Sequence, residues 1–253
     1  MIIADSRKLI FVHIYKTGGS SITSLLAPYI SEEFRTKEPQ TSGASWQSTW
    51  HFDRRQHSKF ADALTVLDES EVDVNLDDYL KFAFVRNPYS WVLSIWNNFY
   101  NCPQRNLPDT WENKIKFALR GIFNRKLDSQ YFYEMYPDGG FKNFVLFINE
   151  IVNHNPQLIP KVWGATDQYS FLQNDRQIEF DFIGRFENLQ SDLQKIAEVA
   201  NAQQLSQIPK QASSTYKRDR QDYLSYYDGQ SIEIVNKLFA RDFEAFNYQP
   251  IEV

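Results

Sequence analysis

The chain has 253 residues, 42% of them hydrophobic and 23% charged, which is enough to bury one large core or a core with a substantial insertion. Lys+Arg 27 against Asp+Glu 32 leaves a net charge of -5, which argues against a general nucleic-acid binder and leaves room for a local basic pocket. The single cysteine, Cys102, excludes an intrachain disulfide and a cysteine-based metal cluster; with no signal-peptide pattern and no transmembrane segment of roughly 20 apolar residues, a soluble cytoplasmic protein is expected.

In chain order, the apolar run 9–14 predicts a buried strand that breaks into Lys16-Thr17-Gly18-Gly19-Ser20-Ser21 and opens a helix near 21–27, ended or kinked by Pro28. Gly18 and Gly19 allow a sharp turn and close approach of a ligand, and Ser20 or Ser21 is expected to cap the helix. First-turn amides, the helix dipole, the Lys16 charge and the hydroxyls of Thr17, Ser20 and Ser21 together describe an anion site. In the triphosphate loop G-x-x-x-x-G-K-[ST] the lysine follows the glycines; here it precedes them and approaches from the sheet side. Residues 36–49 are polar and read as a mobile loop. Residues 64–69 read either as a strand ending in a magnesium-binding acid, as in an ATPase, or as the end of an amphipathic helix.

A second buried strand is predicted at 80–85, followed by Arg86 and an Asn87-Pro88 helix start with Trp91, Ile95, Trp96 and Phe99 on one face. Residues from about 100 to 160 mix aromatics with proline and glycine and suggest a helical insertion. Residues 171–182, with Asn174-Asp175 at the centre, read as a hairpin leading into a third strand at 180–183. Leu189, Leu193, Ile196 and Ala200 repeat at helical spacing, and a last helix is expected over 231–246. Alternating strands and helices predict an α/β fold with a mainly parallel sheet and ligands at the carboxyl ends of its strands. Arg86, with Ser94 two turns into its helix, is a second anion site at such an end, and two sites imply a ligand with separated phosphates.

These residues resemble the carbohydrate-type sulfotransferases of bacteria and eukaryotes that use 3'-phosphoadenosine 5'-phosphosulfate. Residues 14–21, Ile-Tyr-Lys-Thr-Gly-Gly-Ser-Ser, match the family's first motif, and residues 82–94 match its second, except that Trp91 replaces a usual basic residue. Residues 181–189, 226–228 and 241–248 resemble later segments in the same order. The resemblance implies a P-loop-type three-layer fold filling 1–253 as a single domain. It also implies that Lys16, Thr17, Gly18, Gly19, Ser20 and Ser21 hold the 5' phosphosulfate and that Arg86 and Ser94 hold the 3' phosphate. Ser213, Ser214 and Lys217, in the segment 210–218, fall where the family closes over this co-substrate.

Sulfuryl transfer needs a cation for the leaving phosphate, which Lys16 supplies, and a base for the acceptor's proton; no metal is required. Among the histidines, His57 is favoured, because family members often carry a histidine before the second motif, with His51 as alternative. His13 reads as a core residue and His154 lies remote from the motifs. Trp46, Trp50, Trp91, Trp96 and Trp111 are candidates for an acceptor cleft, and the net acidity favours a neutral saccharide or small-molecule acceptor. The competing readings are an ATP-dependent kinase or ATPase and a noncatalytic nucleotide-binding relative. Bacterial origin is expected.

Overall fold

The computed structural model describes residues 1–35, 50–53, 56–101, 129–207 and 223–253. In chain order they form β1 (Ile2–Ala4), β2 (Leu9–Val12), α1 (Gly19–Leu26), α2 (Phe60–Asp68), β3 (Leu80–Val85), α3 (Pro88–Ile95), α4 (Ser129–Met135), α5 (Phe141–His154), α6 (Tyr169–Leu172), β4 (Phe182–Arg185), α7 (Leu189–Val199), α8 (Gly229–Leu238) and α9 (Ala240–Ala245). They fall into two compact units, Met1–Asn87 with Gln168–Gln221, and Pro88–Asp167 with Asp222–Val253. Among the described residues no helix is long and apolar enough to cross a membrane.

The first unit is mixed α/β, a four-stranded sheet flanked by helices. Its order is β1-β2-β3-β4, with β1 antiparallel to β2 and the other pairs parallel. β2 and β3 read as apolar runs rather than alternating ones because nearly every residue in them is buried on one face or the other. Phe11 stacks on Phe82 across the sheet at 5.1 Å, and Phe82 meets Phe84 edge-on at 6.3 Å. Gly184 sits opposite Phe84, where a Cβ would come within 2.4 Å of that ring.

Two sequence expectations are corrected here, one strand is added and one open reading is decided. The edge strand β1 was not foreseen: three residues are too few for a periodic signal, and it exists because its register on β2 buries Ile2 and Ile3. The third strand lies two residues later than expected, at Phe182–Arg185. The hairpin over 171–182 does not form, because the Asn174 side chain bonds the main chain of Ile178 in both directions, at 2.9 and 3.0 Å, and closes a local loop instead. Residues 64–69 end the helix α2, which buries Phe60, Ala63, Leu64 and Leu67 at helical spacing while Asp68 pairs with Arg176.

The second unit is helical in its described residues. α3 begins at Pro88 as the sequence predicts and runs into a π-helical turn at Trp96–Tyr100, closed by the Asn101 N–H on the Trp96 carbonyl at 2.8 Å. Trp91 is fully buried edge-on against Phe239 at 5.7 Å, and Phe99 stacks flat on Trp163 at 4.4 Å. α5 buries Phe141, Phe144, Val145, Phe147, Ile148 and Ile151. The expected last helix is two: a capping box between Asp228 and Ser231 starts α8, and the chain leaves helical geometry at Phe239 before α9. Tyr227 donates to the Tyr89 carbonyl at 2.8 Å and Arg241 pairs with Asp167 at 2.7 Å, so the closing segments brace this unit. The segments expected as a mobile loop, 36–49, and as part of an insertion, 102–128, lie outside the described residues, as do Trp46, Cys102 and Trp111.

Candidate functional site

The junction between β2 and α1 is built on two left-handed residues, Lys16 at φ 64° and Gly18 at φ 89°. The lysine carries a Cβ into a region that costs an L-residue about 1–2 kcal/mol, and such strain clusters at sites of function. At Gly18 an added Cβ would also meet Leu189 at 3.0 Å. Thr17 is fully buried and its hydroxyl donates to the Ile14 carbonyl at 2.8 Å, which locks the turn and leaves its main-chain N–H as its donor for an anion.

α1 starts two residues earlier than a Ser20 cap would set it. Gly18 is the cap residue, with no side-chain capping bond, and Ser21 and Ile22 donate the first helical bonds to its carbonyl at 3.1 and 3.3 Å. Ser20 and Ser21 therefore lie in the first turn rather than at the cap, where first-turn amides point outward along the helix axis.

Arg86 continues β3 and is almost fully buried, at 2% exposure. A desolvated guanidinium must be compensated. Nη1 donates to the Lys16 carbonyl at 3.2 Å, and the guanidinium carbon lies 4.4 Å from the centre of the Phe186 ring. Gln168, fully buried, holds the Arg86 main chain from both sides: its Oε1 accepts from the Arg86 N–H and its Nε2 donates to the Arg86 carbonyl, each at 2.8 Å. Glu187 accepts the Asn87 N–H at 2.7 Å. The carboxyl ends of β2, β3 and β4 are thus tied together by Arg86, Phe186 and Glu187. Ser94 lies half-buried on α3, in the second unit.

Three histidines gather beside this loop. His13 Nδ1 is 3.1 Å from His51 Nε2, and both residues are buried. His57 is half-exposed, with Nδ1 3.3 Å from the His13 carbonyl and its ring edge-on to His13 at 4.5 Å and to Tyr15 at 5.8 Å. Burial, and then the charges of His57, His51 and the terminal amino group, hold the His13 imidazole well below its ordinary pKa and hence neutral.

The structure brings together Lys16 to Ser21, Arg86, His51 and His57. Ser213, Ser214 and Lys217 lie outside the described residues. Gln168 escaped the sequence reading because its partners are main-chain groups 82 positions away, which leave no pattern nearby. Phe186 and Glu187 lie within the family-like segment 181–189 without a role that the sequence suggests, and His13 reads only as core. Trp91 and Trp96 are buried in the second unit, and Trp50 is half-buried under Arg35. A cavity of about 470 Å³ lined by Asp77, Tyr79, Asp181, Phe182, Lys195 and Val199 opens at the amino ends of β3 and β4, the wrong end of the strands for these residues.

Carbohydrate sulfotransferase 14 of Danio rerio is 28% identical over 164 residues, covering 65% of this chain and 41% of that protein. Carbohydrate sulfotransferase 11 of Mus musculus is 23% identical over 180 residues, covering 70% of this chain and 49% of that protein, so the chain spans less than half the length of each. No solved structure matches it. The sulfotransferase family profile matches residues 1–249, and the chain belongs to that family.

Proposed function

We propose that this chain moves a sulfuryl group from 3'-phosphoadenosine 5'-phosphosulfate to a hydroxyl, less readily an amine, of a saccharide or small metabolite, by in-line displacement that releases adenosine 3',5'-bisphosphate. The observation that carries the reading is the bond from Arg86 to the Lys16 carbonyl, which joins the two anion-binding motifs at the carboxyl edge of one sheet. The relatives' names supply the saccharide.

The co-substrate brings an activated sulfur–oxygen bond. Lys16, the first-turn amides of α1 and the hydroxyls of Ser20 and Ser21 hold its 5' side. Arg86 and Ser94 hold the 3' phosphate, with Ser213, Ser214 and Lys217 closing over it. Lys16 neutralises charge that grows on the departing phosphate oxygen as the acceptor oxygen bonds to sulfur, an electrostatic effect worth several kcal/mol.

His57 takes the acceptor's proton. A carbonyl only accepts, so contact with the His13 carbonyl places the His57 hydrogen on Nδ1 and the lone pair on Nε2, the state a base requires. His51, fully buried and turned to His13, is the weaker candidate. We further read the fold as a P-loop-type three-layer domain with an insertion at about 100–160, and the protein as cytoplasmic.

Calorimetry with adenosine 3',5'-bisphosphate, and separately with ATP and magnesium, tests the donor. Binding of the first and not the second is expected; the reverse would assign an ATPase or kinase. Transfer of labelled sulfate to a panel of saccharides and small metabolites is the second arm. Nucleotide binding without transfer to any acceptor would leave a noncatalytic relative.

A further inference from the structure

We infer that His13 is a positioning residue of the donor loop: its flat ring, held in one plane by His51, is the surface on which Gly19 rests, and it sets where the first turn of α1 points. The inference rests on the donor reading above for the identity of what the loop binds. Phe11 on β2 and His13 just past its end share a face, and the rings run in series, Phe82 to Phe11 at 5.1 Å, Phe11 to His13 at 5.6 Å and His13 to His51 at 5.3 Å. The series ends under the glycine loop. A Cβ added to Gly19 would lie 1.9 Å from both Cδ2 and Nε2 of His13 and 2.7 Å from Cε1, distances no real contact shows. One edge of the imidazole therefore occupies the place of a side chain at residue 19, while the opposite edge engages His51 through Nδ1.

A phenyl ring could fill this space but not choose its plane, since rotation about the last side-chain bond of an aromatic is soft. The Nδ1 bond to His51 removes that freedom. The main chain of the same residue receives His57 Nδ1, so a shift of His13 would move the donor loop and the base together. The second glycine is thus needed for what lies beneath it as well as for the ligand above.

A double-mutant cycle tests this, with adenosine 3',5'-bisphosphate as the probe and calorimetry on the full chain at a temperature where every variant is folded. Gly19→Ala is expected to weaken binding about tenfold or more, because the new methyl displaces the loop, and His13→Ala about tenfold, because the floor is gone. In the His13→Ala background, Gly19→Ala should cost less than about threefold, because the methyl enters the space the ring has left. Equal losses from Gly19→Ala in both backgrounds would overturn the inference. So would a His13→Ala variant that melts lower yet binds as tightly as wild type, which marks a merely structural residue. If Gly19→Ala alone does not fold, a folded, nucleotide-binding double variant supports the inference and an unfolded one overturns it. Wild type that binds no bisphosphate defeats the donor reading, and with thermal midpoints in place of affinities the same cycle still decides whether ring and glycine are coupled.

Discussion

Arg86 donates from Nη1 to the carbonyl oxygen of Lys16 across 3.2 Å, joining residues 70 positions apart. The lysine backbone is left-handed at this point, and the guanidinium lies against the Phe186 ring, so the arginine is a strut under the loop besides its proposed role as a charge for the ligand. Arg86→Lys keeps the charge and loses the planar fork and the stacking face. Affinity for adenosine 3',5'-bisphosphate should fall about tenfold or more, and stability by about 1–3 kcal/mol, as for loss of a charged hydrogen bond in a buried place. Calorimetry and thermal melting check the two effects; wild-type values for both would reduce Arg86 to a point charge.

Lys16 separates binding from chemistry. Lys16→Ala leaves a Cβ in the same left-handed backbone, so its melting temperature should stay close to that of wild type. Turnover should drop by roughly two orders of magnitude or more, the scale seen when a group facing developing charge is removed. Transfer of labelled sulfate from the donor to saturating acceptor measures it, and unchanged turnover would remove Lys16 from the chemistry.

Gln168 holds the main chain of Arg86 from both sides. Gln168→Leu keeps the volume and abandons a donor and an acceptor on the buried Arg86 main chain. Each orphaned group costs about 1–3 kcal/mol, so urea unfolding should report a loss of about 2–6 kcal/mol. A loss below about 0.5 kcal/mol, within the range of ordinary surface substitutions, would mean that the strand end relaxes onto other partners.

How these residues could be read from the sequence differs for physical reasons. Lys16 to Ser21 and Arg86, the proposed anion site, stand out in the sequence because such a site on a strand end needs short local patterns of glycine, hydroxyl and cation. β2, β3 and α7 are visible because burial writes a run or a 3.6 period into the chain. Gln168 and the pairing of His13 with His51 are set by contacts between distant segments, which no local pattern encodes. The hairpin was misread because Asn-Asp marks a turn without saying whether the chain after it pairs; Asn174 spends its amide on Ile178, and the strand waits until Phe182.

The histidine cluster should leave a signature in stability against pH. His13 is buried neutral, with its pKa well below 6.5 through burial first and then through His57, His51 and the Met1 amino group, itself paired with Asp53 at 2.9 Å. A residue kept neutral in the fold binds fewer protons there than in the unfolded chain. Above about pH 6.5 neither state is protonated at His13 and stability is complete. Below it the unfolded chain takes up a proton that the native state refuses, so stability declines as pH falls, by at most about 1.4 kcal/mol per pH unit for one group, until the native pKa is reached. Urea midpoints should therefore agree at pH 7 and 8 and drop between about 6.5 and 5. His13→Asn, which cannot titrate, should flatten that drop by up to one proton's slope. An undiminished slope in the variant would mean that His13 is not the group that refuses the proton.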